Sequence, residues 1–293
     1  MKRLRMHIQW ILFLLIVSLS VSVAPGWSKV FKFTAIPDQD TARLQERFGK
    51  IAAYLSRQLG ITVQYIPVKS YSASVAAFKN NEVQLAWFGG LSGVEARLAV
   101  PGSQAIAQGE EDTRFVTYFI ANTSTGLSFQ ALFPDGIAGR TFTFGSKGST
   151  SGRLMPEFYI RQHFKEGPEQ VFKRVGFSGD HTKTIALVQS GSYEVGAVNF
   201  KVWGKEAEEG RIDPKKVTVI WATPEYPDYN WTIRGGVEKE FGPGFITKVQ
   251  SALLDLKDPQ LLDSFPRSSF IRADNDMYQA ILDTGKAIGI FRK

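Results

Sequence analysis

Apolar and polar positions alternate over Val30-Phe31-Lys32-Phe33-Thr34-Ala35-Ile36, the period of a strand with one buried face. After a polar loop at 37–40, Leu44, Phe48, Ile51, Ala52, Leu55 and Leu59 recur at helical spacing, and Gly60 closes that helix. The pattern then repeats: a strand over 62–66, a helix over 71–79, a strand over 83–88 stopped by Gly89-Gly90, and a helix over 92–98. Strands alternating with helices at this spacing predict an α/β unit with a largely parallel sheet.

A second set follows. A strand over 115–122 ends in Thr123-Ser124-Thr125-Gly126, a candidate crossing. Further strands are predicted at 141–144, 174–177, 195–199 and 217–222, with helices near 152–164, 181–190 and 200–209. Residues 224–230, with two prolines and two tyrosines, form a second candidate crossing before a return strand at 231–234 and helices over 243–256 and 276–288. The pattern predicts two α/β lobes joined by two hinge crossings. Residues 29–123 and 224–293 build the first lobe, and 124–223 the inserted second. Ligands in open α/β sheets sit beyond the C-terminal strand ends, so the loops at 37–41, 69–71, 89–92, 145–152 and 179–182 would converge on one cleft.

Residues 1–28 stand apart. A basic start (Lys2, Arg3, Arg5), an apolar run over 8–23 and small residues at 22–24 have the anatomy of a secretory signal peptide; an uncleaved membrane anchor is the alternative. No later stretch is apolar enough to span a membrane. The chain has no cysteine, which excludes disulfides, thiolate metal ligands and lipid attachment through an N-terminal cysteine. An exported, cysteine-free chain fits the periplasm. The leader supplies three charges of the formal +7, so the remainder is mildly basic, and no Lys/Arg stripe points to nucleic acid.

The run Gly145-Ser146-Lys147-Gly148-Ser149-Thr150-Ser151-Gly152-Arg153 lies where a strand turns into a helix. The first N–H groups of a helix lack internal partners and sit at the positive end of its dipole. The hydroxyls of Ser149, Thr150 and Ser151 add donors there, a setting that suits a phosphate-like oxyanion, although an ordinary Ser/Thr cap has the same composition. His181, at the next strand-to-helix loop, can donate to an anion or be incidental to a cap made by Asp180. Tyr71 can donate into the cleft or simply pack. Trp87 and Phe88 suit a cleft wall, and Tyr226 and Tyr229 either close over a ligand or pack a hinge. A hydrolase using Ser151 and His181 is the rival reading, but no Gly-x-Ser-x-Gly elbow is present here, and an Asp adjacent to its His rarely orients as a triad needs. No metal site and no nucleotide P-loop is indicated.

With these residues in view, the chain resembles the phosphonate-binding periplasmic proteins of ABC transporters, the PhnD-like group of type II solute-binding proteins. The landmarks are Gly148-Ser149-Thr150-Ser151-Gly152 with Pro156, Gly179-Asp180-His181, residues 85–92, Ser70-Tyr71 and Trp221-Ala222-Thr223-Pro224. The resemblance implies a two-lobed, hinge-closing periplasmic protein, a monomer without cofactor. It would deliver its ligand to a membrane permease and ATPase, with Ser149, Thr150, Ser151, His181 and Tyr71 holding the anion. A sensor partner that presents ligand to a membrane receptor is a third reading.

The resemblance breaks where aminophosphonate binders carry carboxylates for the ammonium tail. Here stand Phe200-Lys201-Val202-Trp203, with Asp228 out of register and Phe115 in place of a tyrosine. An ammonium facing Lys201 would be repelled, so a tail-free tetrahedral oxyanion is expected. Residues 36–41 and 87–93 look most like a subgroup labelled selenate-binding. Selenate and sulfate carry no proton near neutral pH and want donors only, whereas a carboxylate acceptor at Asp180 or Asp228 would favour a protonated phosphorus oxyanion.

Overall fold

The structure, a computed structural model, describes residues 29–291; the expected leader lies outside them. The first sheet has six strands. β1 (Phe31–Ala35), β2 (Val63–Tyr65) and β3 (Leu85–Phe88) run parallel, while β4 (Gln104–Gly109) and β10 (Asn230–Ile233) add antiparallel partners, and β11 (Phe270–Arg272) pairs with β4, giving the order β11–β4–β10–β3–β1–β2. The second sheet contains β5 (Thr117–Asn122), β6 (Thr141–Phe144), β7 (Arg174–Phe177), β8 (Val195–Asn199) and β9 (Val217–Ala222) in the order β7–β6–β8–β5–β9. Here β6 runs parallel to β7 and β8, and β5 antiparallel to β8 and β9. Both sheets are therefore mixed rather than all parallel.

Since β5 already belongs to the second sheet, the chain passes between sheets ahead of Thr117, and not at Thr123–Gly126 as its turn residues suggested. Thr123–Thr125 is a 3-10 turn that Asn122 caps. The true passages lie side by side: Phe115 N donates to Tyr226 O and Tyr226 N to Phe115 O, both at 2.9 Å. Two extended strands with a single bridge can twist about it while keeping their pairing, as a hinge requires.

Each sheet is held by aromatic packing. Phe33, Phe48, Trp87, Trp231 and Phe265 interlock in edge and tilted contacts with centroids 5.3–6.4 Å apart. In the second lobe the strand period divides β5 between two faces. Phe119 joins Phe142, Phe144 and Trp221 on one side, and Ile120 joins Ile185, Val188 and Val198 on the other.

The helices frame the cleft. In the first lobe are α1 (Thr41–Leu59), α2 (Tyr71–Lys79) and α3 (Gly90–Ala99). The second has α4 (Met155–Phe164), α5 (Pro168–Val171), α6 (His181–Gln189) and α7 (Phe200–Glu208). The chain then returns to the first sheet through α8 (Val237–Phe241), α9 (Phe245–Leu254), α10 (Pro259–Ser264) and α11 (Gln279–Ala287). Side-chain caps start the helices nearest the cleft: Asp40 for α1, Ser70 for α2, Asp180 for α6 and Asn199 for α7. No helix among the described residues is long and apolar enough to cross a membrane.

Candidate functional site

The hydroxyl run lies between β6 and α4 as a single π-turn, Thr150–Leu154, N-capped by Ser149. Turns of this type inside helices recur at functional sites because they re-aim the backbone. Ser149 Oγ accepts from Gly152 N at 2.9 Å, which leaves its hydroxyl proton for another acceptor. The first amides of the turn have no acceptor within it. Gly152 is needed for close approach: a Cβ there would sit 3.0 Å from Ser149 Oγ and 3.1 Å from His181 Cε1.

The first lobe meets this turn directly. Leu91 N, at the start of α3, donates to Thr150 Oγ1 at 3.0 Å. Gly90 N donates to Asp228 Oδ1 at 2.8 Å. A Cβ on Gly89 would lie 3.2 Å from both of those oxygens, so the glycine is what lets Thr150 and Asp228 come together. Asp228 is 1% exposed, and its second oxygen, Oδ2, is buried with no hydrogen-bond partner among the described residues. Burial pushes its pKa up to about 7, opposed by hydrogen bonds from Thr150 and the Gly90 amide. Tyr71 comes from the start of α2 opposite. Its hydroxyl lies beside Ser149 but makes no hydrogen bond of ordinary geometry. A buried polar atom left unpaired costs roughly 1–3 kcal/mol; among the described residues Asp228 Oδ2, able to accept, and Tyr71 Oη, able to donate, are such atoms at the cleft.

His181 opens α6 at 1% exposure. Its Nδ1 accepts from Asn199 N at 3.3 Å, which assigns the proton to Nε2, 3.4 Å from Ser151 Oγ. Burial drives its pKa down to about 4, with Asp38 opposing, so the ring is neutral and donates through Nε2. Asp38 also joins the lobes: its carbonyl accepts from His181 N at 3.1 Å, and its Oδ2 accepts from Tyr229 Oη at 2.9 Å. Tyr229 Oη in turn accepts from Asn199 Nδ2 at 2.9 Å. Tyr226 hydrogen-bonds Thr117 Oγ1 at 2.6 Å, and Thr117 Oγ1 also bonds Ser151 O at 3.0 Å. The two crossing tyrosines thus brace the turn and the lobe contact.

Ser149, Thr150, Ser151, His181 and Tyr71 therefore come together at one buried place. Asp228, one of the two candidate acceptors, joins them from the second crossing. Asp180 does not join: its carboxylate caps α6, accepting from Lys183 N at 2.8 Å and pairing with Lys183 Nζ at 2.8 Å. Because His181 Nδ1 is taken by a backbone N–H, no carboxylate orients the ring as a Ser-His-Asp triad demands. Lys201 also falls outside. Its ammonium is 3.4 Å from Glu111 and lies over the Phe200 ring, lining a separate cavity of about 630 Å³ with Tyr118 and Trp203. The expected repulsion between Lys201 and a ligand's ammonium therefore loses its basis. Phe200 and Phe115, ring to ring at 4.8 Å, separate Lys201 from Tyr229, which Phe115 also contacts.

Sequence reasoning missed Asp38 and Asn199, which look like ordinary loop and cap residues. It also missed Asp112 and Arg267, a fully buried bidentate pair with Nε–Oδ2 2.8 Å and Nη2–Oδ1 2.7 Å. The Asp112 carbonyl accepts from Asp228 N at 3.0 Å, so this pair anchors the backbone that carries Asp228. No group of three metal-ligating side chains occurs among the described residues.

Known proteins share this sequence and fold. The family model for ABC-transporter phosphonate periplasmic substrate-binding proteins matches residues 33–278. A probable phosphite-binding protein of an ABC transporter from Prochlorococcus marinus is 40% identical over 282 residues, 93% of this chain and 95% of that protein. The phosphonates-binding periplasmic protein of Escherichia coli is 26% identical over 222 residues, 74% of this chain and 64% of its own length. A solved structure from Prochlorococcus marinus, in complex with methylphosphonate, is 39% identical, with a TM-score of 0.84 over 90% of this chain and 99% of that one. Such proteins bind and deliver substrate without transforming it. The chain belongs to the phosphonate family of periplasmic substrate-binding proteins of ABC transporters.

Proposed function

We propose that this protein captures a small, tail-free phosphorus oxyanion that carries one proton, of the phosphite or methylphosphonate type, and delivers it to its permease and ATPase. The observation that carries the reading is the pairing of opposite hydrogen-bonding needs in one buried site. The Ser149–Ser151 turn, Tyr71 and His181 offer donors, while Asp228 Oδ2 is an acceptor without a partner. A singly protonated phosphorus oxyanion satisfies both. Sulfate and selenate, fully ionised near neutral pH, can meet Asp228 only in its protonated form, which a pKa of about 7 makes progressively scarcer above neutrality. This favours the phosphorus anions over the selenate-type ligand, and the relatives' ligands, phosphite and methylphosphonate, support the same choice.

Ser149, Thr150 and Ser151 grip the oxygens, Tyr71 donates from the opposite lobe, and neutral His181 donates through Nε2. The hinge is the paired passage at Phe115 and Tyr226, and the lobes are 29–116 and 224–291 around 117–223, with 1–28 as the cleaved leader. A tail is disfavoured by enclosure: Ser149, Thr150, Ser151, His181, Tyr71 and Asp228 are each no more than 2% exposed.

The test is calorimetry with phosphite, methylphosphonate, phosphate, sulfate, selenate and aminoethylphosphonate, on the parent and on Thr150→Ala. Phosphite and methylphosphonate should bind most tightly. Thr150→Ala should weaken them about 10- to 150-fold, the loss of one hydrogen bond to a charged group. Selenate or sulfate binding best, or an unchanged Thr150→Ala, would overturn the assignment.

A further inference from the structure

We propose that Arg43 on α1 and Glu206 on α7 form a closure latch, a pair that sets affinity by holding the lobes together without touching the ligand. Arg43 Nη1 lies 2.6 Å from Glu206 Oε1 across the two lobes. The carboxylate is almost wholly buried, its side chain 4% exposed, while the arginine is about one-third exposed. Within its own lobe Glu206 is already paired with Arg211, Nε–Oε2 2.5 Å and Nη2–Oε1 2.9 Å. Opening the cleft therefore leaves Glu206 paired with Arg211 and removes Arg43, which also reaches Glu209 Oε2 at 3.8 Å. The pair is unequal in the sense a latch needs: the second lobe folds without Arg43, and closure gains it.

The placement makes this more than a surface ion pair. Helix α1 begins just after Asp38, which receives His181 N and Tyr229 Oη. Helix α7 begins at Asn199, whose amide meets Tyr229 Oη and whose N–H meets His181 Nδ1. Both helices start at the site and run outward, and the latch fastens them about 10 Å along α7, at 1.5 Å per residue. A cavity of about 230 Å³, lined by Arg43, Glu46, Lys50, Lys205 and Glu209, opens beside the pair, so salt can reach and screen it. Apparent affinity is the intrinsic affinity scaled by the competent, closed fraction, and Arg43 acts on that fraction.

The latch rests on the reading that this chain binds by closing. The absence of native cysteine makes the test direct. Spin labels at Gln58→Cys and Gln170→Cys, exposed positions on opposite lobes, report the interlobe distance by pulsed electron spin resonance. Dissociation of methylphosphonate is followed on unlabelled protein. Arg43→Ala should raise the apparent Kd about three- to tenfold, mainly through faster dissociation, and shift the distances toward the open state. Arg43→Lys should recover part of the loss, and added salt should bring the parent toward Arg43→Ala. In a Glu206→Gln background, Arg43→Ala should have a smaller effect, since only its longer 3.8 Å contact with Glu209 Oε2 is then left to lose. Equal effects in both backgrounds, or an Arg43→Ala protein with the parent's distances and dissociation rate, would overturn the latch. If methylphosphonate fails to bind the parent, the ligand assignment falls, while the salt response of the unliganded distance still decides the latch.

Discussion

Asp112 and Asp228 are both buried carboxylates, at 0% and 1% exposure, joined by one hydrogen bond from Asp228 N to Asp112 O. Their side chains live in opposite circumstances. Asp112 meets the guanidinium of Arg267 at two points and accepts from Gly109 N at 3.0 Å. Arg267 is itself enclosed by Tyr229, Phe115 and Trp87. Asp228 has the Gly90 N–H on Oδ1 with the Thr150 hydroxyl close by, and nothing of ordinary geometry on Oδ2. A carboxylate whose needs are met within the fold serves the fold; one left short of partners in the cleft is poised for a group from outside. The pair teaches how to separate support from site when burial alone does not.

The sharpest way to break that contrast is to strip each carboxylate of its advantage. Arg267→Met leaves Asp112 as a buried charge without its partner, and should cost about 3–5 kcal/mol of folding stability, read from denaturant unfolding. Asp228→Asn should do the reverse. It keeps the Oδ1 contact to Gly90 N, removes a charge that burial disfavours, and leaves stability unchanged or raised. Phosphite binding should fall about 10- to 150-fold, because the amide cannot accept the ligand's proton at that point. An Asp228→Asn protein that is badly destabilised yet binds normally would show that both carboxylates are structural.

The same contrast has a pH signature. The Asp228 pKa is raised from an ordinary 3.8 to about 7, so between those values the native state holds a proton that the unfolded state has released. Its contribution to stability is thus lost as pH rises through that window. The His181 pKa is lowered from 6.5 to about 4, so its contribution has the opposite slope, lost as pH falls from 6.5 toward 4. The two oppose each other across the shared range. In Asp228→Asn only the His181 slope remains, and stability measured without ligand should rise more steeply with pH from about 4 to 6.5 than in the parent. Identical pH profiles for the two proteins would mean that Asp228 is ionised at ordinary pH despite its burial.

Local chemistry made the site legible. Three hydroxyl residues between glycines at a strand-to-helix turn, a histidine at the next such turn and a tyrosine at a helix start each have a physical reason to be there, and the fold brings all five together. What was not legible depended on partners far away in the chain. Nothing around Asp228 reveals that it will face Thr150 across Gly89, and Asp112 and Arg267 are 155 residues apart. The strand set was read well where β-branched and aromatic residues alternate. β4, Gln104-Ala105-Ile106-Ala107-Gln108-Gly109, was missed because alanine and glycine carry little strand preference, and three-residue β11 is too short to show a period. The first crossing was misplaced for a similar reason. Thr123-Ser124-Thr125-Gly126 has the composition of a turn, which it is, but composition does not say which sheet the preceding strand joins.

Glu111 and Lys201 supply the smallest and most specific test. They stand beside the two decisive elements in sequence, Glu111 next to Asp112 and Lys201 just beyond Asn199, yet their pair is 3.4 Å long with both side chains about one-quarter exposed. An ion pair so placed contributes about 0–1 kcal/mol. Glu111 also accepts from Ser268 N at 2.9 Å, so it keeps a partner when the lysine is removed. If charge near the cleft governed ligand choice, Lys201→Ala would relieve repulsion and improve aminoethylphosphonate binding. The geometry argues otherwise, because the Phe115 and Phe200 rings stand between that ammonium and Tyr229. Lys201→Ala should shift affinity for phosphite and for aminoethylphosphonate by less than about threefold each, measured by competition. A selective gain for aminoethylphosphonate would mean that Lys201 swings into the cleft and that charge, not enclosure, excludes a cationic tail.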